Sequence, residues 1–198
     1  MILSRIFQDK HYGFYVDVGA HHPRRFSNTY RFYKQGWAGI NIEPNPDASR
    51  LFRSERPRDI HLECGVAQSE SNLTYYYFDE PALNTFDYDV VTSRLELTDY
   101  KLVKQQIIPV FRLDHLLKKH MPQKQRIDFL TIDVEGFDFN VVKSNDWELY
   151  RPFCVVVEAL NSDLEECING AVTTFLNQQG YRIFAKTYNS IIFTDKRH

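Results

Sequence analysis

The sequence predicts one α/β domain: a doubly wound, mostly parallel sheet with helices on both faces. Three observations carry the prediction. Short apolar runs of strand length alternate with helical stretches along the chain, the rhythm that builds a parallel sheet by repeated crossovers. The first core run, residues 14–18, passes directly into Gly19 and Ala20, small residues that let the backbone turn sharply and approach a ligand. Apolar runs also end on carboxylates, at Asp17, Glu43, Glu63, Asp133 and Glu158. In an open α/β sheet those ends share one rim, and ligands bind beyond it.

The elements follow in order. Residues 2–7 form a short lead-in helix within a leading segment, 1–12. After the first strand, a loop at 20–26 carries His21, His22, Arg24 and Arg25. Ser27 caps a helix from 28 to about 35, stopped by Gly36. Residues 37–42 are the second strand, closed by Glu43, and Pro44 and Pro46 break the chain before a helix at 47–55. A third strand covers 60–67, and 72–78 is aromatic and β-rich. Residues 79–92 lack clear periodicity and are expected to be loop, with 79–106 serving as a lid or acceptor-binding region. Residues 98–106 read as helical, 107–112 as an edge strand that tolerates Pro109, and 113–120 as an amphipathic helix. Core strands at 127–132 and 153–157 flank a helix at 137–144. Asp163 caps one helix running to about 179, with Leu164, Ile168, Val172, Phe175 and Leu176 on one face. Residues 181–186 and 190–194 close the sheet as an antiparallel pair.

Composition narrows the class. At 198 residues with 43% hydrophobic residues, 15 Phe and 12 Tyr, the chain suits a single domain, 1–198, with a real core. A formal net charge of -2 exerts no pull toward nucleic acid or anionic membrane. No apolar run approaches the ~20 residues needed to span a bilayer, and the charged start is unlike a secretory signal. Cys64, Cys154 and Cys167 are odd in number and lack metal-ligand spacing. Buried thiols in a reducing, cytoplasmic compartment are expected.

The turn after the first strand selects the ligand. A dinucleotide site wants three glycines, so that backbone amides close on a pyrophosphate. Here Gly19 is followed by His21, His22 and Pro23, and no GxxxxGK[ST] phosphate loop occurs. A ligand with ribose and base but no phosphate, such as S-adenosylmethionine, fits better. Asp17, Gly19 and Ala20 would floor its site. Glu43 lies 24 residues beyond Gly19, close to the ~20 at which an acidic residue accepts from ribose hydroxyls. Glu63, or the backbone near Cys64, would meet the adenine amine.

These residues carry a family resemblance. DVGAHHPRRFSNTYRFYKQGWAGINIEPNP (17–46), RLDHLL (112–117), IDFLTIDVEGFDFNVVKS (127–144) and VVVEA (155–159) resemble the FkbM-type methyltransferases, a class I S-adenosylmethionine-dependent group. The resemblance implies a Rossmann-like fold, a cofactor site around Asp17, Gly19 and Glu43, and O-methylation of a hydroxyl on a sugar, glycan or secondary metabolite. Two other classes remain beside it: a nucleotide-dependent oxidoreductase on a similar sheet, and a non-catalytic cofactor-binding module.

Methyl transfer needs a hydroxyl held in line and relieved of its proton. His21 and His22, just past the first strand, and Asp133 and Glu135, past the 127–132 strand, are the candidate catalytic groups. Asp133 also belongs to the cofactor set. Arg24 and Arg25 are candidates for an anionic group, and the aromatic run Tyr75–Tyr77 for a sugar face. A divalent cation on Asp133 and Glu158, with Asn161 nearby, is an alternative activator and is not favoured over a metal-free base.

Overall fold

The computed structural model describes residues 2–160 and 162–197. Its main sheet has seven strands: β1 (Phe14–Val18), β2 (Ala38–Ile42), β3 (Ile60–Leu62), β7 (Phe129–Ile132), β8 (Cys154–Glu158), β9 (Tyr181–Lys186) and β10 (Ser190–Asp195). Their order is β3-β2-β1-β7-β8-β10-β9. The first five run parallel, while β10 is antiparallel to β8 and to β9. A second sheet orders β4 (Gly65–Val66), β6 (Leu102–Phe111) and β5 (Ser71–Phe78) side by side.

All five residues of β1 are buried, as the centre of a sheet covered on both faces requires. On one face an aliphatic cluster, including Val16, Ile40, Leu130 and Val155, packs with Leu113, Leu116 and Leu117 of α5 (Leu113–His120) and Val141 and Val142 of α6 (Asp138–Lys143). On the other, an aromatic cluster gathers Phe7, Tyr15, Phe32, Trp37 and Phe129 beneath α1 (Ile2–Ile6) and α2 (Tyr30–Lys34). Each such side chain contributes about 1.5–3 kcal/mol when fully buried. Ser27 stands just before α2, and its hydroxyl accepts from Thr29 N and Tyr30 N at 3.3 and 3.1 Å. Asn45 caps α3 (Pro46–Glu55) through Asp47 N.

Several elements differ from the sequence expectation. The third strand is split: β3 ends at Leu62, and Glu63 and Cys64 carry the chain out of the main sheet to β4. The run expected as loop at 79–92 holds a 3-10 turn (Pro81–Leu83) and the first half of α4 (Tyr88–Leu97). Asp87 caps α4 by accepting from Asp89 N and Val90 N. Residues 98–106, read as helical, enter β6 instead, and β6 lies in the middle of its sheet, not at an edge. Pro109 sits just before Val110 and Phe111, where β4 begins to pair. The helix expected from 164 to 179 is two, α7 (Leu164–Asn169) and α8 (Ala171–Gln178), because Gly170 is extended at ψ 158. Leu164 and Ile168 are therefore exposed, and Cys167, Thr173 and Leu176 fill the inner face.

All three cysteines are free and buried. Among the described residues, no helix is long and apolar enough to cross a membrane.

Candidate active site

A cavity of about 410 Å³ opens beyond the carboxyl ends of β1, β2, β7 and β8. Its floor is the turn after β1. Gly19 adopts φ +79, and a Cβ there would sit 1.8 Å from the carbonyl oxygen of Asp133. Gly19 N and Ala20 N both donate to Ile42 O, at 3.0 and 3.2 Å, which ties the turn to the end of β2.

Glu43 closes that end. It is buried, and its two oxygens accept from His21 N at 2.9 Å and Asn45 N at 2.8 Å. Tyr75 of β5 brings its hydroxyl to 3.4 Å. Burial pushes the Glu43 carboxyl up to about 7, against the pull of those amides. Asp17, also buried, accepts from Thr29 Oγ1 at 2.7 Å. Burial lifts it to about 6, and the Thr29 bond and Arg56 act the other way.

Past β7, Asp133, Glu135 and Glu158 each offer a carboxylate oxygen within 4.8 Å of one another. Burial raises Asp133, and its like-charged neighbours raise it further. Burial, and then the facing Asp133, raise Glu158 well above the carboxylate range. Two carboxyls so placed hold one proton between them. Glu135 is locked in a left-handed conformation, φ 54. Thr85 Oγ1 donates to its carbonyl at 2.8 Å, and Arg94 of α4 ion-pairs with its carboxylate. Strain of this kind persists where neighbours over-determine it.

Of the sequence candidates, Asp17, Gly19, Ala20, His21, Glu43, Cys64, Asp133, Glu135 and Glu158 all line the cavity. His21 stacks on Phe26 at 6.3 Å, and its buried Nε2 has no hydrogen-bond partner among the described residues. Burial, Arg25 and His22 hold its pKa below the ordinary value, so the ring is neutral near pH 7.

Two candidates are placed elsewhere. His22 braces its own loop: its Nδ1 accepts from Arg24 N and Arg25 N at 3.0 and 3.1 Å. Glu63 accepts from Ser49 Oγ at 2.6 Å and is outside the lining. Arg24 pairs with Glu55, and Arg25 makes a two-pronged pair with Glu80. Neither arginine lines the cavity. Of the three tyrosines in β5, only Tyr75 reaches it. Asn161 lies outside the described residues.

Within 79–106, Pro81, Ala82, Leu83, Asn84 and Phe86 line one side of the cavity. The sequence did not point to Arg94, Thr29 or Asn84. Arg94 is on a helix with one buried side chain, Val91, which leaves no amphipathic trace.

Among curated proteins, no sequence matches the chain. The family profile described as Methyltransferase FkbM domain matches residues 17–183, a span that includes the glycine turn after β1, Glu43 and the carboxylate trio. By that match the chain belongs to the FkbM methyltransferase family.

Proposed function

We propose that the protein is an S-adenosylmethionine-dependent O-methyltransferase acting on a hydroxyl of a sugar, glycan or small metabolite. The single observation that carries the reading is Glu43. It is a buried carboxylate at the end of β2, held by two backbone amides at the edge of a cavity walled by the glycine turn after β1. A carboxylate has about four lone-pair sites, so the two amides and the longer Tyr75 contact orient Glu43 and leave a site to accept from a ribose hydroxyl. The residues present fit this cofactor, which supplies an electrophilic methyl group on a sulfonium centre.

The chain's own groups supply the rest. Gly19 keeps the floor of the cavity flat. Cys64 and Val66, at the crossing from β3 to β4, give an apolar wall suited to an adenine ring, beside Phe86 and Tyr75. His21, a neutral ring in the cavity lining whose Nε2 has no hydrogen-bond partner among the described residues, is the group assigned to take the acceptor's proton. Asp133, Glu135 and Glu158 offer acceptors for the hydroxyls of an incoming polyol. Arg94 and a shared proton balance much of their charge, and this favours a metal-free route over a cation held by the trio.

Calorimetry tests the cofactor assignment. S-adenosylmethionine and its demethylated product are expected to bind with micromolar affinity, ~ -8 kcal/mol, and Glu43→Ala is expected to weaken both about tenfold or more. Absence of heat with the wild type removes the cofactor; an unchanged Glu43→Ala removes the ribose role. Labelled methyl transfer to a panel of sugars, glycans and phenolic metabolites tests the reaction, and transfer confined to nitrogen or carbon would refute O-methylation.

A further inference from the structure

Beneath the loop between β1 and α2 lies a buried polar cluster that the reaction chemistry does not use. Its centre is Arg56, which follows α3 and has no exposed side-chain surface. Its Nε donates to Asp59 Oδ2 at 2.7 Å. Nη2 donates to Tyr15 OH at 2.7 Å and Thr29 Oγ1 at 3.0 Å. Nη1 reaches Pro23 O at 3.3 Å and Ser27 Oγ at 3.4 Å. Asp59 in turn accepts from Tyr15 OH, Gly39 N and Asn41 Nδ2, which roots the cluster in β1 and β2.

A buried guanidinium is costly, and one ion pair with Asp59 satisfies it. Of the four remaining donors, one goes to Tyr15 of β1 and three to points of one loop, Pro23, Ser27 and Thr29. That loop begins at the glycine turn, carries His21 and ends at Thr29, the N-cap residue of α2. The Thr29 hydroxyl in turn donates a hydrogen bond to Asp17 Oδ2 at 2.7 Å. The hydroxyl has a single proton. Arg56 donates to the Thr29 oxygen, and Ser27 Oγ, 3.1 Å from that oxygen, already accepts from Thr29 N and Tyr30 N, so the Thr29 proton points at the nearer, charged Asp17 oxygen.

We propose that Arg56 is a positioning residue for the cofactor, which fixes the direction of the Thr29 hydroxyl and through it orients the Asp17 carboxylate at the cavity floor, while pinning the loop that carries His21. This rests on the reading of the cavity as an S-adenosylmethionine site. Arg56 itself does not line the cavity. The groups facing Asp17 are Thr29, Arg56 and Asp59 on one side and the carboxyls Glu43 and Asp133 at the neighbouring strand ends. Only Thr29 and Arg56 favour its ionised form, so losing either leaves Asp17 protonated to higher pH.

The test uses Thr29→Val, which keeps the shape and removes the hydroxyl, and Thr29→Ser, which restores it. Calorimetric affinity for S-adenosylmethionine is expected to fall roughly tenfold in Thr29→Val at neutral pH and to return in Thr29→Ser. In the cofactor-free protein, the carboxyl carbon of Asp17, followed by NMR, is expected to titrate at higher pH in Thr29→Val than in the wild type. Arg56→Lys, which keeps the charge without the fork, is expected to weaken binding to a similar degree. Wild-type affinity in Thr29→Val with an unmoved Asp17 titration overturns the inference and leaves the cofactor assignment standing. A wild type that binds no cofactor overturns both.

Discussion

Gly19→Val is expected to abolish cofactor binding and to leave the chain largely unfolded at ordinary temperature. The reason is the turn itself. A side chain at position 19 meets the Asp133 carbonyl oxygen at 1.8 Å, and that oxygen belongs to the backbone between β7 and the carboxylate trio, where it has no freedom to move aside. The left-handed φ of +79 adds roughly 1–2 kcal/mol for any L-residue. A clash with main chain is worse than ordinary overpacking, so a loss above about 4 kcal/mol is expected, against a total stability of about 5–15 kcal/mol for a domain. Gly19→Ala should show a smaller version of the same defect. Urea unfolding followed by circular dichroism measures both. A Gly19→Ala protein with the wild-type midpoint would show that the turn can relax, and that the glycine serves only the ligand.

The second large effect concerns the proton. With His21 as base, His21→Gln is expected to lower turnover at least ~100-fold while cofactor affinity stays within a few-fold. The rate should be lost as pH falls through the His21 pKa, which burial and neighbouring cations hold below the ordinary ~6.5. Asp133→Asn is expected to cost a similar factor by breaking the shared-proton arrangement with Glu158. Exhaustive chelation should leave the rate unchanged. Chelation that stops turnover, followed by rescue with Mg²⁺ or Mn²⁺, would instead make Asp133, Glu135 and Glu158 ligands of a hard cation. Turnover that survives His21→Gln moves the base to Asp133.

Most of the parallel half of the fold was legible because β1, β2, β7 and β8 are buried on both faces and read as largely apolar runs, as in residues 14–18 and 154–157, whereas the half-buried β3 is short. The rim carboxylates were legible for a related reason: a charge at the end of such a run stands out. What failed to show was the second sheet. In β6, the consecutive residues Val103, Lys104 and Gln105 are all exposed, so both faces are open there, and Ile107 is exposed as well; polar and apolar residues therefore do not alternate cleanly. The α4 helix is fixed by its Asp87 cap and by the Arg94 pair with Glu135, contacts that span 41 residues or need capping geometry to be seen. His22 and Glu63 were placed at the site by their distance from a strand end. Their side chains turned instead to a loop brace and to Ser49. Sequence spacing locates a backbone position, and local hydrogen bonds decide where the side chain goes.

The carboxyl-rich cavity makes acidity a partner in ligand uptake. Asp17 and Glu43, lifted by burial to about 6 and about 7, keep protons that the unfolded chain, with carboxyls near ~4, has already lost. The folded state therefore binds more protons than the unfolded one between about pH 4 and 7, and by linkage the empty protein loses stability as pH rises through that window. A sulfonium cation reverses the preference by favouring the ionised carboxyls. Uptake of S-adenosylmethionine near neutral pH is thus expected to expel protons into the medium, and its measured heat should change with the ionisation enthalpy of the buffer. The demethylated product, whose sulfur carries no charge, should expel fewer. Equal heats in phosphate and Tris for both ligands would mean that these carboxyls are already ionised before the cofactor arrives.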